Sequence, residues 1–230
     1  MKNPEKSDKM VVTLDGPAAS GKSTTARLVA KEMGWLYLDT GAMYRAMAVK
    51  VLDEGIPLDD PEAIGAMARR TKMTLKASDE GTRVFLDGVE VTHRIRTPEV
   101  DRAVGPVCEV PVVREVLVAL QREIGKKGSL VAEGRDMGTV VFPDADLKFY
   151  VIASIEARAR RRRIDMERQG ISVSLDELIH EIERRDRRDS ERTHSPLRPA
   201  GDAGLLDTSE MTLEQQVGTV VQKIHRKMAR

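Results

Sequence analysis

The chain has 230 residues, 40% of them hydrophobic and 33% charged, and its formal net charge is +1. That length can bury one good core with small appendages, and the even charge balance excludes a protein that binds polyanions over its whole surface. No apolar run approaches the ~20 residues of a membrane-spanning helix.

Residues 1–9 are polar, lack the apolar stretch of a secretory signal, and read as a disordered tail. Five short apolar runs then read as strands: Met10–Asp15, Trp35–Asp39, Ser129–Ala132, Asp146–Ile152 and Gly204–Asp207. They are continuous rather than alternating, as strands covered on both faces should be. Behind the first, Thr24 to Met33 reads as a helix. Asp60-Pro61 and Thr97-Pro98 each pair an N-cap with a proline at the first helical position. Between them, residues 72–91 break the rhythm. Asp87-Gly88 separates two strand-like runs, a hairpin signal, and the segment predicts a small antiparallel meander. Pro111 opens a long amphipathic helix through Val113, Val116, Leu117, Leu120 and Ile124. Ser174 with Glu177, and Thr212 with Gln215, are capping-box pairs that start two later helices. Alternating strand and helix predicts a three-layer α/β fold, a five-stranded parallel sheet flanked by helices, with the meander as an insert. Cys108 is the single cysteine, which suits a reducing cytoplasm. Asn3 is the only asparagine, so the Asn-Lys-x-Asp motif with which a GTPase reads guanine is missing.

Between the first strand and its helix stands Gly16-Pro17-Ala18-Ala19-Ser20-Gly21-Lys22-Ser23, followed by Thr24. This is the G-x-x-x-x-G-K-S pattern of a phosphate-binding P-loop. Its glycines turn backbone N–H groups inward, the following helix presents its positive end, Lys22 supplies a full charge, and the Ser23 hydroxyl suits Mg²⁺. Ligands of an open parallel sheet lie beyond the carboxyl ends of its strands. The second strand ends in Asp39-Thr40-Gly41-Ala42-Met43-Tyr44-Arg45, placing Thr40, Tyr44 and Arg45 on that rim, where an arginine either grips a second phosphate or stays on the surface.

The third strand runs into Gly134-Arg135-Asp136-Met137-Gly138-Thr139. An Arg-Asp pair matches the donor and acceptors of cytosine, and a carboxylate facing the O4 of uracil would be left unpaired. A structural ion pair at a turn is the alternative. Residues 156–192 hold eleven arginines against ten acidic residues, a local net of +1, too neutral for a nucleic-acid footprint. Ion pairs along two solvated helices account for most of them. Within them Arg185, Asp189 and Arg192 share one helical face, where two guanidiniums could stabilise a transferring phosphoryl group. Asp189 there either holds an arginine or bonds a ribose hydroxyl. Arg158 and Arg162, one turn apart, could reach a donor's phosphates from a mobile flap. Arg114, near the start of the long helix, is by itself an ordinary helical arginine.

Taken together, these motifs resemble the bacterial-type cytidylate kinase family from about Met10 to the last helix. The most specific stretch is Gly134-Arg135-Asp136-Met137-Gly138-Thr139-Val140-Val141-Phe142-Pro143, supported by Ile95-Arg96-Thr97, Arg184-Arg185-Asp186-Arg187-Arg188-Asp189 and Ser195-Pro196-Leu197. The resemblance implies a Mg²⁺-dependent kinase that moves a phosphoryl group from ATP to CMP or dCMP. It implies ATP contacts from Gly16 to Thr24 with Arg158 and Arg162, and catalytic roles for Lys22, Arg185 and Arg192. It assigns the acceptor to Thr40, Tyr44, Arg45, Gly105, Arg114, Arg135, Asp136, Arg185, Asp189 and Arg192. Arg114 and Asp136 would meet the base, Arg45 and Arg135 the phosphate, and Arg185 and Asp189 the ribose region. Some members carry a serine where this chain has Gly105. Ser23, with Asp39 as a weaker candidate, would serve the metal. The implied layout is a core of residues 10–40, 105–155 and 193–230, a monophosphate-binding region of 41–104 with its β insert at 72–94, and a helical arginine-rich lid at 156–192. A monomeric cytoplasmic enzyme without nucleic-acid or membrane partners is expected. Other readings are a uridylate, adenylate or shikimate kinase, or an RNA-associated P-loop protein. The near-neutral arginine segment and 3% aromatic content weigh against the last.

Overall fold

In the computed structural model, which describes residues 9–78, 81–168 and 170–229, the β-branched run Val11–Asp15 forms strand β1. Of the tail expected over residues 1–9, residues 1–8 lie outside the described residues, as do Asp79 and Glu80 of the meander. The chain divides into two compact units, one of residues 1–35 and 128–230 and the other of 36–127.

In the first unit β1 is flanked by β6 (Leu130–Gly134) and β7 (Leu147–Ile152), and β7 by β8 (Gly204–Asp207), all parallel. The whole sheet has five strands in the order β2-β6-β1-β7-β8, with β2 (Leu36–Asp39) at its edge. Every residue of β6 is buried, which is why its sequence shows no alternation. All five expected strands are present. The third begins one residue later than read and continues through Glu133 and Gly134, because a buried glutamate there interrupts the apolar run without interrupting the ladder. Helix α1 (Lys22–Met33) packs on β6 and on α8 (Leu213–Met228), starting two residues before the helix read from Thr24. α8 opens on the expected capping box of Thr212 and Gln215. Its Gln216 accepts a hydrogen bond from Thr25 at 2.8 Å, tying α8 to the first turns of α1.

Helices α6 (Ile155–Glu167) and α7 (Leu175–Glu191) pack together through a small core of Ala159, Leu178 and Ile182. Ser174 and Glu177 form the expected capping box at the start of α7. Most other positions on these helices are charged, so the pair is held by these three buried side chains and the partly buried hydrophobics around them.

The second unit is built on α2 (Thr40–Asp53), whose Met43, Met47, Ala46 and Val51 are fully buried. Around it pack α3 (Pro61–Arg70), α4 (Pro98–Glu109), α5 (Pro111–Gly125) and the second sheet. All three of those helices start with proline in the first turn, and Asp60 and Thr97 cap α3 and α4 as their sequences predict. The meander is an antiparallel sheet of β3 (Met73–Ser78), β4 (Gly81–Leu86) and β5 (Val89–Glu90). Its tight turn uses positive φ at Asp87 and Gly88, as the Asp-Gly pair predicts. Among the described residues no helix is long and apolar enough to cross a membrane.

Leu178 is fully buried in the only apolar cluster described for the α6–α7 pair. Leu178→Ala should cost roughly 2–4 kcal/mol locally. Hydrogen exchange should show faster amide exchange over residues 155–191 with unchanged protection in β1 and β6; a uniform loss across the chain would show that the pair does not open by itself.

Candidate active site

Strand register sets the first unit's site. Asp15, the last residue of β1, lies opposite Gly134 of β6 on one side and Tyr150 of β7 on the other. The P-loop and the Arg135-Asp136 segment therefore leave the sheet side by side.

The P-loop turns through left-handed backbone at Ala19 (φ 58°) and at Gly21 (φ 87°), the N-cap of α1. A Cβ on Gly16 would lie 2.0 Å from the Val151 carbonyl oxygen, so only glycine lets β1 turn there. Gly21 brings no side chain to the cap, leaving the first amides of α1 to another acceptor, as suits an anion. Two distant contacts brace the loop. Thr208 Oγ1 donates to the Ser20 carbonyl at 2.8 Å, and Arg161 Nη1 donates to the same hydroxyl at 3.1 Å.

Lys22 is only 5% exposed; its Nζ donates to the Pro17 carbonyl at 3.2 Å and stands 3.8 Å from Glu133 Oε2. The Ser23 hydroxyl donates to Glu133 Oε1 at 2.8 Å. Glu133 is thus the carboxylate beside the loop's lysine and serine, and the sequence reading gave it no role. Asp39, the weaker metal candidate, caps α2 in the second unit, its Oδ1 accepting from the Ala42 amide at 2.9 Å.

Arg135 donates from Nε to Asp189 Oδ2 on α7 at 2.7 Å. Burial pushes the Asp189 carboxyl upward, but Arg135, with Arg185 and Arg192, outweighs it and holds the group below the usual carboxylate range. Holding an arginine is one of the two roles the sequence offers Asp189, and this contact supplies it. Arg192 caps the end of α7, and its Nε donates to the Ser195 carbonyl at 2.6 Å. Arg158 is buried and pairs with Asp186 at 2.7 Å, while its Nη1 reaches the Ala18 carbonyl of the P-loop at 3.4 Å. Arg162 lies half-buried one turn further along α6.

Asp136 is 3% exposed and begins a π-helical turn over Met137–Val141 that the sequence did not signal. It gives that turn no side-chain cap. Asp15 does so from β1: its two carboxylate oxygens accept from the Met137 and Gly138 amides, each at 2.8 Å. Burial is the main influence on Asp15 and raises its pKa from 3.8 to about 6; the two amides and Lys22 oppose that rise, and Asp136 adds to it.

The second unit carries its own cluster. Thr40 and Tyr44 are buried one turn apart at the start of α2. Arg45 pairs with Asp101 of α4 at 2.5 Å and donates to the Ile95 carbonyl at 3.2 Å. Arg114, read as an ordinary helical arginine, is buried on α5, its guanidinium 5.5 Å over the Tyr44 ring. Gly105 sits half-buried in α4 beside Pro106. Apart from Glu133, the residues that the sequence reading missed are Asp15, Asp101, Asp186 and Arg161, all partners of a backbone or a cation whose fold neighbours no motif records.

Residues 12–226 match the family model described as "Cytidylate kinase". The chain is 49% identical over 214 residues to a "Cytidylate kinase" of Pelotomaculum thermopropionicum, covering 93% of this chain and 95% of that protein. It is also 49% identical over 229 residues to a "Bifunctional pantoate ligase/cytidylate kinase" of Synechococcus sp. (strain JA-3-3Ab), covering 98% of this chain and 42% of that protein. The chain thus spans less than half the length of that bifunctional relative. Among solved structures, an uncharacterized protein from Eubacterium ventriosum has a TM-score of 0.52 at 12% identity, covering 94% of this chain and 99% of that one, a likeness of fold alone.

The raised Asp15 pKa makes a stability prediction. A carboxyl that holds its proton more tightly when folded stabilises the fold fully below its unfolded pKa, near 4, and that contribution is lost as pH rises through about 6. Asp15→Asn carries no such titration. The unfolding free energy of wild type minus variant should therefore fall by about 2 kcal/mol between pH 4 and pH 7, as urea titrations at four pH values would measure. A difference independent of pH would count against the assignment.

Proposed function

Because the chain belongs to the cytidylate kinase family, we propose that it transfers the γ-phosphoryl group of ATP to CMP or dCMP, releasing ADP and CDP or dCDP. One observation carries the reading: the β1–β6 register sets a P-loop with its Lys22–Ser23–Glu133 cluster beside an Arg135–Asp136 segment anchored to Asp189. Phosphate chemistry and a base-reading pair share one sheet edge.

The acceptor phosphate is already a nucleophile at neutral pH, so no strong general base is needed, and catalysis rests on positioning and charge neutralisation. Of the segment from Gly16 to Thr24, the backbone N–H groups (Pro17 has none) hold the ATP phosphates, and Lys22 neutralises charge on the group in transit. The Ser23 hydroxyl and the Glu133 carboxylate, already 2.8 Å apart, suit a hydrated Mg²⁺; Asp39 is a second, weaker metal candidate. A metal held there would supply neutralisation of phosphate charge. Arg158 and Arg162 come from α6 toward the donor, the former already against the P-loop backbone. Arg185 and Arg192, both within the field of Asp189, neutralise the transferring group.

For the acceptor, Arg45 and Arg135 take the phosphate and Arg185 and Asp189 the ribose side. Arg114 and Asp136 take the base, with Thr40, Tyr44 and Gly105 lining the site. A cytosine amino group donates to a carboxylate, whereas uracil presents an acceptor there, so Asp136 discriminates by leaving the wrong base unsatisfied. A helical α6–α7 lid that excludes water would protect ATP from hydrolysis. We read the protein as a cytoplasmic monomer.

A coupled assay of ADP release with CMP, dCMP, UMP, AMP and GMP tests the reading: CMP or dCMP should give the highest kcat/KM, and preference for AMP or a sugar acid would overturn it. Lys22→Ala should lower kcat about a thousandfold or more while circular dichroism stays native. Asp136→Ala should raise the KM for CMP and narrow the CMP-to-UMP ratio. If both pyrimidine rates fall by the same factor, Asp136 does not read the base.

A further inference from the structure

Asp15 is buried, lies one residue before the P-loop, and has no part in the proposed phosphoryl transfer. Its carboxylate spends both oxygens on consecutive amides, Met137 and Gly138, at 2.8 Å each. Those amides open a π-helical turn whose own N-cap, Asp136, offers no side-chain cap. The turn is also tightly packed. A Cβ on Gly138 would come within 3.1 Å of both Thr13 Oγ1 and Lys148 Cδ. The turn is therefore held by a carboxylate on β1 and packed against Thr13 and Lys148, and its N-cap is the base-reading Asp136.

We infer that Asp15 is a positioning residue for the acceptor base: by capping the Met137–Val141 turn from β1, it fixes the direction in which Arg135 and Asp136 leave β6. The inference rests on the family reading and deepens it, since it places part of the nucleobase selectivity on a residue that touches no substrate. A carboxylate suits the task because it accepts twice. An amide at the same place accepts once and turns its NH₂ against the second N–H, and a methyl accepts neither. Each lost charge-assisted bond of this kind is worth about a tenfold change in the equilibrium it supports.

The experiment measures KM for CMP, the CMP-to-UMP ratio of kcat/KM, and binding of a fluorescent ATP analogue, for wild type, Asp15→Asn and Asp15→Ala. KM for CMP should rise about tenfold in Asp15→Asn and about a hundredfold in Asp15→Ala. The CMP-to-UMP ratio should narrow in step, and affinity for the ATP analogue should stay within about twofold in both. Gly138→Ala, which crowds the same turn against Thr13 and Lys148, should reproduce the pattern and serves if the Asp15 variants fail to fold. Unchanged KM for CMP in a folded variant overturns the inference, as does a rise matched by equal weakening of the ATP analogue, which marks general loosening of the loop. Wild type that phosphorylates no cytidine nucleotide overturns the family reading itself, and this inference with it.

Discussion

A cation held in a buried site must meet a counter-charge whether or not a phosphate is present, and that constraint shapes the clusters described above. Lys22 stands against Glu133, Arg135 against Asp189, Arg158 against Asp186 and Arg45 against Asp101. Leaving any one of these cations alone in a water-poor site would cost several kcal/mol. Each carboxylate supplies the charged acceptor its cation needs and keeps a long, flexible side chain in one place. In the reading proposed above, that order lowers the entropy lost on binding, while the same carboxylates compete with an incoming phosphate for these cations.

The fold was legible where local chemistry alone decides it. Pro61, Pro98 and Pro111 mark helix starts because proline lacks only an amide that the first turn does not use. The capping boxes at Ser174 and Thr212, and the turn at Asp87-Gly88, are similarly closed within four residues. Positions whose meaning comes from distant neighbours were not legible. Glu133 reads as a charge that ends an apolar run, yet it continues β6, because Lys22 and Ser23 neutralise and bond it from another strand's loop. Arg114 looks like any helical arginine until α5 buries it beside Tyr44. The turn at Met137–Val141 is invisible for the same reason, since its cap comes from residue 15 rather than residue 136.

The charged helices α6 and α7 are joined by few apolar contacts. Their shared core is Ala159, Leu178 and Ile182, with Ile155, Met166, Val173, Leu175 and Ile179 packed partly around it. Most of the remaining positions are arginine and acid. Low local stability follows from so small an apolar contact, which is what the lid role proposed for the pair asks of it.

The braces on the phosphate loop have a consequence for biosynthesis. Ser20 is held by Thr208 and the start of α1 by Gln216, partners 188 and 191 residues away in the chain. Translation makes the loop about 190 residues before the partners that brace it. A nascent chain thus carries the complete glycine motif well before the contacts that fix its shape can close.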